Sequence, residues 1–230
     1  MSRLQGFASA ALILVTSFSA NAEKLVRDKN DIKVFVSEEQ GENIKRFRGV
    51  TIVPAKLSAL TALLHDLESA HQWIHALESV DVIEPYSPDF KQYTSYSIIS
   101  TPWPTQDRDN VVFNQTYQDS VSKVVTVTMQ SKSDLMPKTK KYVRIPKFEG
   151  YWQFIPVSEA ETKVVFSALS DPGGSVPSFI YNSMIEDAPY YTLLNLRKMM
   201  PLESEYTDKQ YAYIEDFKEV KGHENDIESN

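Results

Sequence analysis

The chain has 230 residues, no cysteine and a formal net charge of −7 at pH 7. Without cysteine it can form neither a disulfide bond nor a lipid-modified cysteine. The acidic charge argues against a nucleic-acid partner, which would need clustered Lys and Arg to displace counterions.

The first residues have the pattern of a secretory signal peptide. Arg3 precedes the apolar stretch FASAALILVTSF (7–18), and the sequence SANA then places Ala20 and Ala22 at a typical cleavage site. The apolar stretch is shorter than the about 20 residues that a membrane-spanning helix needs. We therefore predict a signal peptide over residues 1–22, cleaved after Ala22, and a mature protein that is periplasmic or secreted.

The remaining chain is long enough to form one large domain, and its first half predicts two strands followed by two helices. Apolar residues alternate in DIKVFVSEE (31–39) and NIKRFRGVTIVP (43–54), which predicts two strands with a turn near Gln40–Gly41. Leucines at helical spacing predict an amphipathic helix over 56–68. A second short helical segment is predicted at AHQWIHALES (70–79).

The second half of the chain is rich in predicted strands. Strands separated by short polar turns are predicted near 93–100, 109–118, 121–130, 140–146, 151–157 and 162–170. The sequence DPGGSVP (171–177) ends the sheet, and residues 178–200 predict a long helix that Pro189 should bend.

This order of elements predicts an α+β fold. A long antiparallel sheet that curves and is closed by one C-terminal helix leaves a space between its concave face and that helix. The domain is predicted to span residues 23–202, and residues 203–230 form an acidic C-terminal tail.

Motifs for catalysis or for cofactors are weak in this sequence. His71 and His75 have the i, i+4 spacing of helical zinc ligands, with His65 nearby, but no third ligand follows at motif spacing. There is no Gly-x-Ser-x-Gly segment, and Gly173–Gly174 lacks the lysine of a phosphate loop. We therefore predict no metal, no cofactor and no catalytic residue.

The segment STPWPTQDRDNVVF (100–113) allows two interpretations. Asp107 and Asp109 would share one face of a strand, where two close carboxylates could form an acid/base pair. Alternatively, Asp107 accepts backbone N–H groups in a turn, and one carboxylate pairs with Arg108 or Arg144. We favour the structural interpretation, because such pairs are far commoner than catalytic dyads.

Five segments, in this order and spacing, resemble a bacterial START domain, the lipid-transfer domain related to the steroidogenic acute regulatory protein. They are FRGV (47–50), PWPTQDRDNVV (102–112), VRIPKFEGYWQFIPV (143–157), DPGGSVPSFIYN (171–182) and APYYTLLNLRKM (188–199). The resemblance covers roughly residues 24–200. It implies a helix-grip fold with an internal hydrophobic tunnel that holds one lipid or sterol-like molecule. It also implies that the glycines of 171–177 act as a hinge for passage of the ligand.

The sequence departs from the animal members of the family at one place. Those members hold a buried acidic residue and an arginine in the tunnel, and the matching positions here are Ser95 or Ser97 and Asn114. We therefore do not expect this chain to recognise a ligand hydroxyl through that ion pair.

The resemblance implies non-catalytic binding, and transfer, of a lipid or other hydrophobic ligand. The signal peptide places this function in the periplasm, and we expect a monomer. The basic run PKTKKYVRIPK (137–147) is either a solvated strand with an exposed face or a patch that would suit transient contact with anionic headgroups. The residues expected to bind the ligand are Trp103 (with its indole folded onto the core), Phe113, Asn114, Trp152, Ile180, Met184 and Leu193.

Two alternatives remain open. One is an enzyme of the cyclase or hydrolase type on the same scaffold, with Asp109, Asn114 and Arg144 converging inside the tunnel. The other is an envelope protein with a structural or interaction role, whose cavity is filled by side chains.

Overall fold

The computed structural model describes residues 22–39, 44–89, 91–201, 204–209 and 211–218. Most of the predicted signal peptide (through residue 21), the turn predicted near Gln40–Gly41 and residues 219–230 lie outside the described residues. The strands are β1 (Lys24–Lys29), β2 (Ile32–Glu38), β3 (Lys45–Val53), β4 (Leu77–Ser87), β5 (Gln92–Ile99), β6 (Arg108–Gln118), β7 (Val125–Ser131), β8 (Val143–Arg144), β9 (Lys147–Pro156) and β10 (Thr162–Asp171). The helices are α1 (Leu57–His65), α2 (Ala70–Trp73) and α3 (Ser178–Met199).

All ten strands form one curved sheet, with the order β1-β2-β3-β10-β9-β7-β6-β5-β4. Neighbours along this order pair antiparallel, whereas β8 pairs parallel with β6 at its start. The long C-terminal helix α3 packs against β2 and β3. The predicted α+β helix-grip fold, a curved antiparallel sheet with one long C-terminal helix, is confirmed.

The structure differs from the predicted elements at both edges of the sheet. The second predicted helix, at 70–79, is wrong beyond its first turn, because α2 ends at Trp73 and Leu77 begins β4. The pairing of β4 with β5 contains several register shifts, so its apolar residues do not alternate regularly. Strand β1 (KLVRDK) was also not predicted, because a charged edge strand lacks the apolar face on which periodicity depends.

Gly49 in β3 sets how closely α3 approaches the sheet. A Cβ atom at this position would lie 2.7 Å from Leu193 Cδ1 and 3.0 Å from Pro189 Cβ. A larger residue would therefore have to shift Leu193 and push Pro189 of α3 away from the strand, and glycine avoids both movements. The C-terminal half of α3 is therefore seated directly on β3.

The segment after α3 packs on the domain wherever it is described. The Tyr206 hydroxyl donates to Asp66 Oδ2 at 2.7 Å, and Ile214 is buried. Asp216 accepts hydrogen bonds from the Ser58 backbone N–H at 2.9 Å and from Ser58 Oγ at 2.7 Å. The Asp216 carboxylate therefore caps the N-terminus of α1, although the division of the chain at residue 202 stays a prediction.

None of the described helices is both long enough and apolar enough to cross a membrane.

Candidate functional site

A cavity of about 240 Å³ lies between the sheet and α3. Most of its wall is apolar and includes Val112, Met129, Trp152 and Phe166 from the sheet and Met184 and Ile185 from α3. Its volume is close to the lower end of the range, roughly 300–1,000 Å³, that small-molecule pockets occupy in proteins. The space can therefore hold a small or slender apolar molecule.

Stacked aromatic rings form one wall of this cavity. Trp152 and Phe166 stack face to face, with ring centroids 4.0 Å apart and planes 2° apart. Trp73 contacts Trp152 edge-on at 5.8 Å. Large rings that hold each other in place make a rigid apolar surface against which a ligand can pack.

Polar side chains line the cavity along β6. Residues Arg108, Asn110, Val112 and Asn114 alternate with residues on the opposite face, and all four border the cavity. On β5, Ser97 pairs with Asn110 and Ser95 pairs with Val112, and both serines also line the cavity. The two strands thus place a stripe of amide and hydroxyl groups on an otherwise apolar wall.

The two asparagines of this stripe differ in their hydrogen bonding. Asn114 Nδ2 donates to the Val112 carbonyl oxygen at 3.1 Å. Asn110 is only 2 % exposed, and its Oδ1 has no hydrogen-bond partner among the described residues. A buried acceptor without a donor is rare in folded proteins, because it has lost the hydrogen bonds of water without replacement.

Arg108 joins the loop before β6 to the segment after β10. Its Nε donates to the Pro172 carbonyl at 3.2 Å, and its Nη2 lies 3.5 Å from the Gly173 carbonyl. Its Nη1 donates to Thr101 Oγ1 at 3.1 Å and also to the Gln106 carbonyl. Burial lowers the pKa of Arg108, but guanidinium titrates so far above neutral pH that the group stays charged.

The segment that Arg108 contacts contains two glycines with left-handed backbone. Gly173 and Gly174 have φ angles of +64° and +61°, in the left-handed region that glycine adopts most easily. The Gly173 N–H also donates to Asp171 Oδ1 at 2.8 Å. Arg108 as donor and Asp171 as acceptor therefore hold this turn just before α3 begins.

Asp109 and Arg144 lie away from the cavity and form an ion pair. Arg144 Nε is 3.0 Å from Asp109 Oδ1 and Arg144 Nη2 is 2.9 Å from Asp109 Oδ2. The Tyr96 hydroxyl donates to Oδ2 at 3.0 Å, and burial together with this carboxylate raises the pKa of Tyr96 to about 12. Asp107 Oδ1 accepts the Thr101 N–H at 2.8 Å. The structural interpretation of both aspartates is confirmed.

This arrangement corrects one element of the enzyme alternative. Asp109, Asn114 and Arg144 do not converge inside the cavity, because Asp109 and Asn114 point to opposite faces of β6. Only Asn114 of the three borders the cavity.

Three of the residues predicted to bind ligand line the cavity: Asn114, Trp152 and Met184. Ile180 and Leu193 are buried in the packing of α3 and are not part of the cavity wall. Their role in binding, like that of the three lining residues, stays a prediction.

Phe113 and Trp103 lie elsewhere. Phe113 is on the face of β6 opposite Asn114, with Lys132 Nζ 5.7 Å from its ring centre. Trp103 is 90 % exposed, so the prediction that its indole folds onto the core is wrong. The loop turns at this point, where Thr105 N–H donates to the Pro102 carbonyl at 3.0 Å, and it directs the indole outward.

The histidines do not form the predicted helical pair. His75 lies beyond the end of α2, lines the cavity and stacks on Tyr191 at 5.1 Å. His65 lies among Tyr86, Tyr93 and Tyr211, and burial lowers its pKa to about 4. Within the described ranges, no group of three or more His, Asp or Glu side chains could hold a metal ion.

Asn110 was not predicted as a site residue, although the sequence contains a usable signal. Strand parity from Asn114, which was predicted, places Val112, Asn110 and Arg108 on the same face. Two amides and a guanidinium at alternate positions of one apolar strand indicate a polar stripe facing the interior.

The sequence signature of the START domain matches residues 12–190. The chain belongs to the START family. An uncharacterized protein of Pseudomonas aeruginosa is similar to this chain. The two are 34 % identical over 190 residues, which are 82 % of this chain and 92 % of that protein. The family resemblance seen in the sequence is thus confirmed.

Solved START structures have the same architecture. The STAR-related lipid transfer protein of Xanthomonas axonopodis superposes with a TM-score of 0.71 at 27 % identity, over 77 % of this chain and 98 % of that one. The human StAR-related lipid transfer protein 5 gives a TM-score of 0.68 at 16 % identity, over 79 % and 87 % of the two chains. The START fold therefore persists across a bacterial and a human protein of low identity.

Proposed function

We propose that this protein binds one lipid or other hydrophobic molecule in the cavity and transfers it, chemically unchanged, through the periplasm. The observation that carries the proposal is the apolar cavity between the sheet and α3 in a chain of the START family. Exposing an alkyl chain to water costs about 0.8 kcal/mol of free energy for each CH₂ group, and burial in an apolar cavity avoids that cost.

The chemistry of the cavity wall supports binding without catalysis. The polar lining on β5 and β6 consists of hydroxyls, amides and one arginine, and no carboxylate borders the cavity among the described residues. Asp109, the acid considered for an acid/base role, is 0 % exposed and paired with Arg144 on the other face of β6. A general acid or base would have to reach the ligand, and this one does not.

Membrane contact is part of the proposal, and the exposed Trp103 supports it. The loop that carries Trp103 contacts a basic loop, because Gln106 Nε2 donates to the carbonyls of Lys140 and Lys141 at 2.9 and 2.5 Å. Tryptophan favours the membrane interface, and lysines favour anionic headgroups. Arg108 ties this same region to the hinge at Gly173, so the ligand would pass close to the membrane.

The periplasmic location and the monomeric state are proposals as well. The location is supported by the signal-peptide pattern at residues 1–22. A mature N-terminus at Glu23, found by mass spectrometry of protein from the periplasmic fraction, would support export. Light scattering of that sample would give the mass of a monomer.

Native mass spectrometry of the purified protein tests the binding proposal. We expect co-purifying mass that is released on denaturation and uptake of a hydrophobic probe such as Nile red. Ala188→Phe places a large ring in the cavity and should abolish both signals. Ser183→Phe makes the same kind of change on the exposed face of α3 and serves as the matched control.

The outcomes separate the three candidate functions. Protein that is empty and takes up no probe would contradict ligand binding and favour the structural role. A ligand that is converted to a new mass during incubation would favour an enzyme. Uptake that Ala188→Phe abolishes and Ser183→Phe preserves supports binding in this cavity.

A further inference from the structure

We infer that the ligand is a single-chain amphiphile with a neutral head group that carries a hydroxyl, and that this hydroxyl donates its hydrogen bond to Asn110 Oδ1. The inference rests on the proposed function, because it specifies what the same cavity binds. It follows from an unpaired side-chain atom of a residue that borders the cavity, and from the charge and size of the cavity.

The unpaired atom is the side-chain oxygen of Asn110. It belongs to a residue that is 2 % exposed, borders the cavity and has no donor for Oδ1 among the described residues. Among the buried side-chain atoms that have no partner within the described residues, only Asn110 Oδ1 belongs to a residue that borders the cavity. An acceptor held in an apolar wall is stabilised by a partner that brings an N–H or O–H group.

The cavity favours a neutral head group over an anionic one. Arg108 is the only charged residue in the described wall at neutral pH, and its Nε and Nη1 already donate to Pro172 and to Thr101. An incoming carboxylate could accept two parallel N–H groups from this guanidinium only by displacing one of these bonds. His75, the other titratable nitrogen on the wall, has its pKa lowered by burial and is therefore neutral near pH 7.

The surroundings of Asn110 favour a ligand group that both donates and accepts a hydrogen bond, such as a hydroxyl, over a group that only donates. Ser97 is the direct cross-strand neighbour of Asn110, and both side chains border the cavity. Directly paired residues place their Cβ atoms about 4.5–5.5 Å apart. A ligand hydroxyl between them can donate to Asn110 Oδ1 and accept from the serine hydroxyl, so both of its hydrogen-bonding roles are used.

The size of the cavity indicates one alkyl chain. Its volume of about 240 Å³ lies near the lower end of the range for small-molecule pockets, which favours one slender chain over several. The apolar residues Trp152 and Phe166 also line the cavity and pack against that chain.

Displacement of Nile red by three ten-carbon probes tests the inference. Decan-1-ol keeps the hydroxyl donor, nonyl methyl ether has the same number of carbons and an acceptor oxygen but no donor, and decanoate carries a negative charge. We expect decan-1-ol to bind about tenfold more tightly than the ether, as for one buried hydrogen bond, and more tightly than decanoate. In Asn110→Leu the preference for the alcohol over the ether should disappear.

Two comparisons separate the loss of this hydrogen bond from general changes in the cavity wall and in folding. Met129→Leu changes the same cavity wall without removing a polar atom and should keep the tenfold preference. Asn110→Leu removes an unpaired polar group, so it should unfold at the same or a higher temperature than the wild type.

The inference is overturned if Asn110→Leu keeps the preference, which would mean that another group accepts the hydrogen bond of the ligand hydroxyl. Tighter binding of decanoate than of the alcohol would overturn it too, in favour of an anion held by Arg108. Protein that is empty in native mass spectra and takes up no Nile red would contradict the proposed function instead.

Discussion

Arg144 binds Asp109 through two parallel N–H···O bonds, and the exposed fractions of the two side chains are only 2 % for Arg144 and 1 % for Asp109. The strand that carries Arg144, β8, pairs with the start of β6, and Arg144 Nη1 also donates to the Met136 carbonyl at 3.0 Å. The pair therefore fastens the loop before β8 to the sheet, on the face away from the cavity.

We expect Asp109→Asn to destabilise the protein strongly, because it leaves the Arg144 charge buried without a partner. The free energy of unfolding, measured by urea denaturation, should fall by about 3–5 kcal/mol. The double variant Asp109→Leu/Arg144→Met removes both charges and should recover most of that loss. A single variant as stable as the wild type would show that the ion pair contributes little.

Mild acid should destabilise the protein through His65. Burial lowers the pKa of folded His65 to about 4, whereas an unfolded histidine titrates near 6.5. The unfolded state therefore binds the proton first, so the stability contribution is complete above pH 6.5 and is lost as the pH falls towards 4. It amounts to about 3 kcal/mol.

Urea denaturation at pH 7 and at pH 4.5 measures this contribution. The control is His65→Phe, which keeps a ring among Tyr86, Tyr93 and Tyr211 and should lose less stability between the two pH values. Parallel losses in the wild type and in the variant would assign the acid sensitivity to other groups.

Trp103→Ala should slow transfer of a hydrophobic probe between vesicles without changing its equilibrium binding. The exposed indole is outside the cavity wall, so it can act on membrane contact only. With vesicles containing phosphatidylglycerol we expect a loss of about tenfold in rate, the lower end of what burial of a large apolar side chain contributes.

Val121→Ala is the matched control for Trp103→Ala, because Val121 is 89 % exposed and lies in the turn between β6 and β7. It should transfer the probe at the wild-type rate. Equal slowing by both substitutions would remove the special role of the Trp103 loop.

Asp216→Ala should weaken α1, because it removes the acceptor for the Ser58 N–H and hydroxyl. Loss of an N-terminal cap of this kind costs about 1–2 kcal/mol in the free energy of unfolding. Asp216→Asn keeps one acceptor oxygen and should lose less. Identical stability of the wild type and both variants in urea would mean that water replaces the cap.

The parts of the fold that the sequence predicted are those with a clear local signal. Apolar residues alternate at Ile32, Val34 and Val36 in β2, short apolar runs bounded by polar residues mark β6 and β10, and α3 follows a clear break at DPGGSVP (171–177). Strand β4 lacked this signal, because its pairing with β5 shifts register several times and its period is interrupted.

The candidate site was predicted in part, for a different physical reason. Strand parity correctly separates Asn114 from Asp109, and it would also have found Asn110. It does not apply to Trp103, because an apolar residue in a turn can point inward or outward and only the loop geometry decides. The same limit explains Asp216, which contacts Ser58 across 158 positions of sequence.

The hydrogen bonds between Asp216 and Ser58 also determine when α1 becomes capped during synthesis of the chain. Helix α1 is among the first elements to leave the ribosome, yet its cap is among the last described residues to follow. The nascent chain must hold α1 uncapped until nearly all of the protein has been made. Synthesis that stops at the end of α3 would yield a chain with every strand of the sheet but without the N-terminal cap of α1.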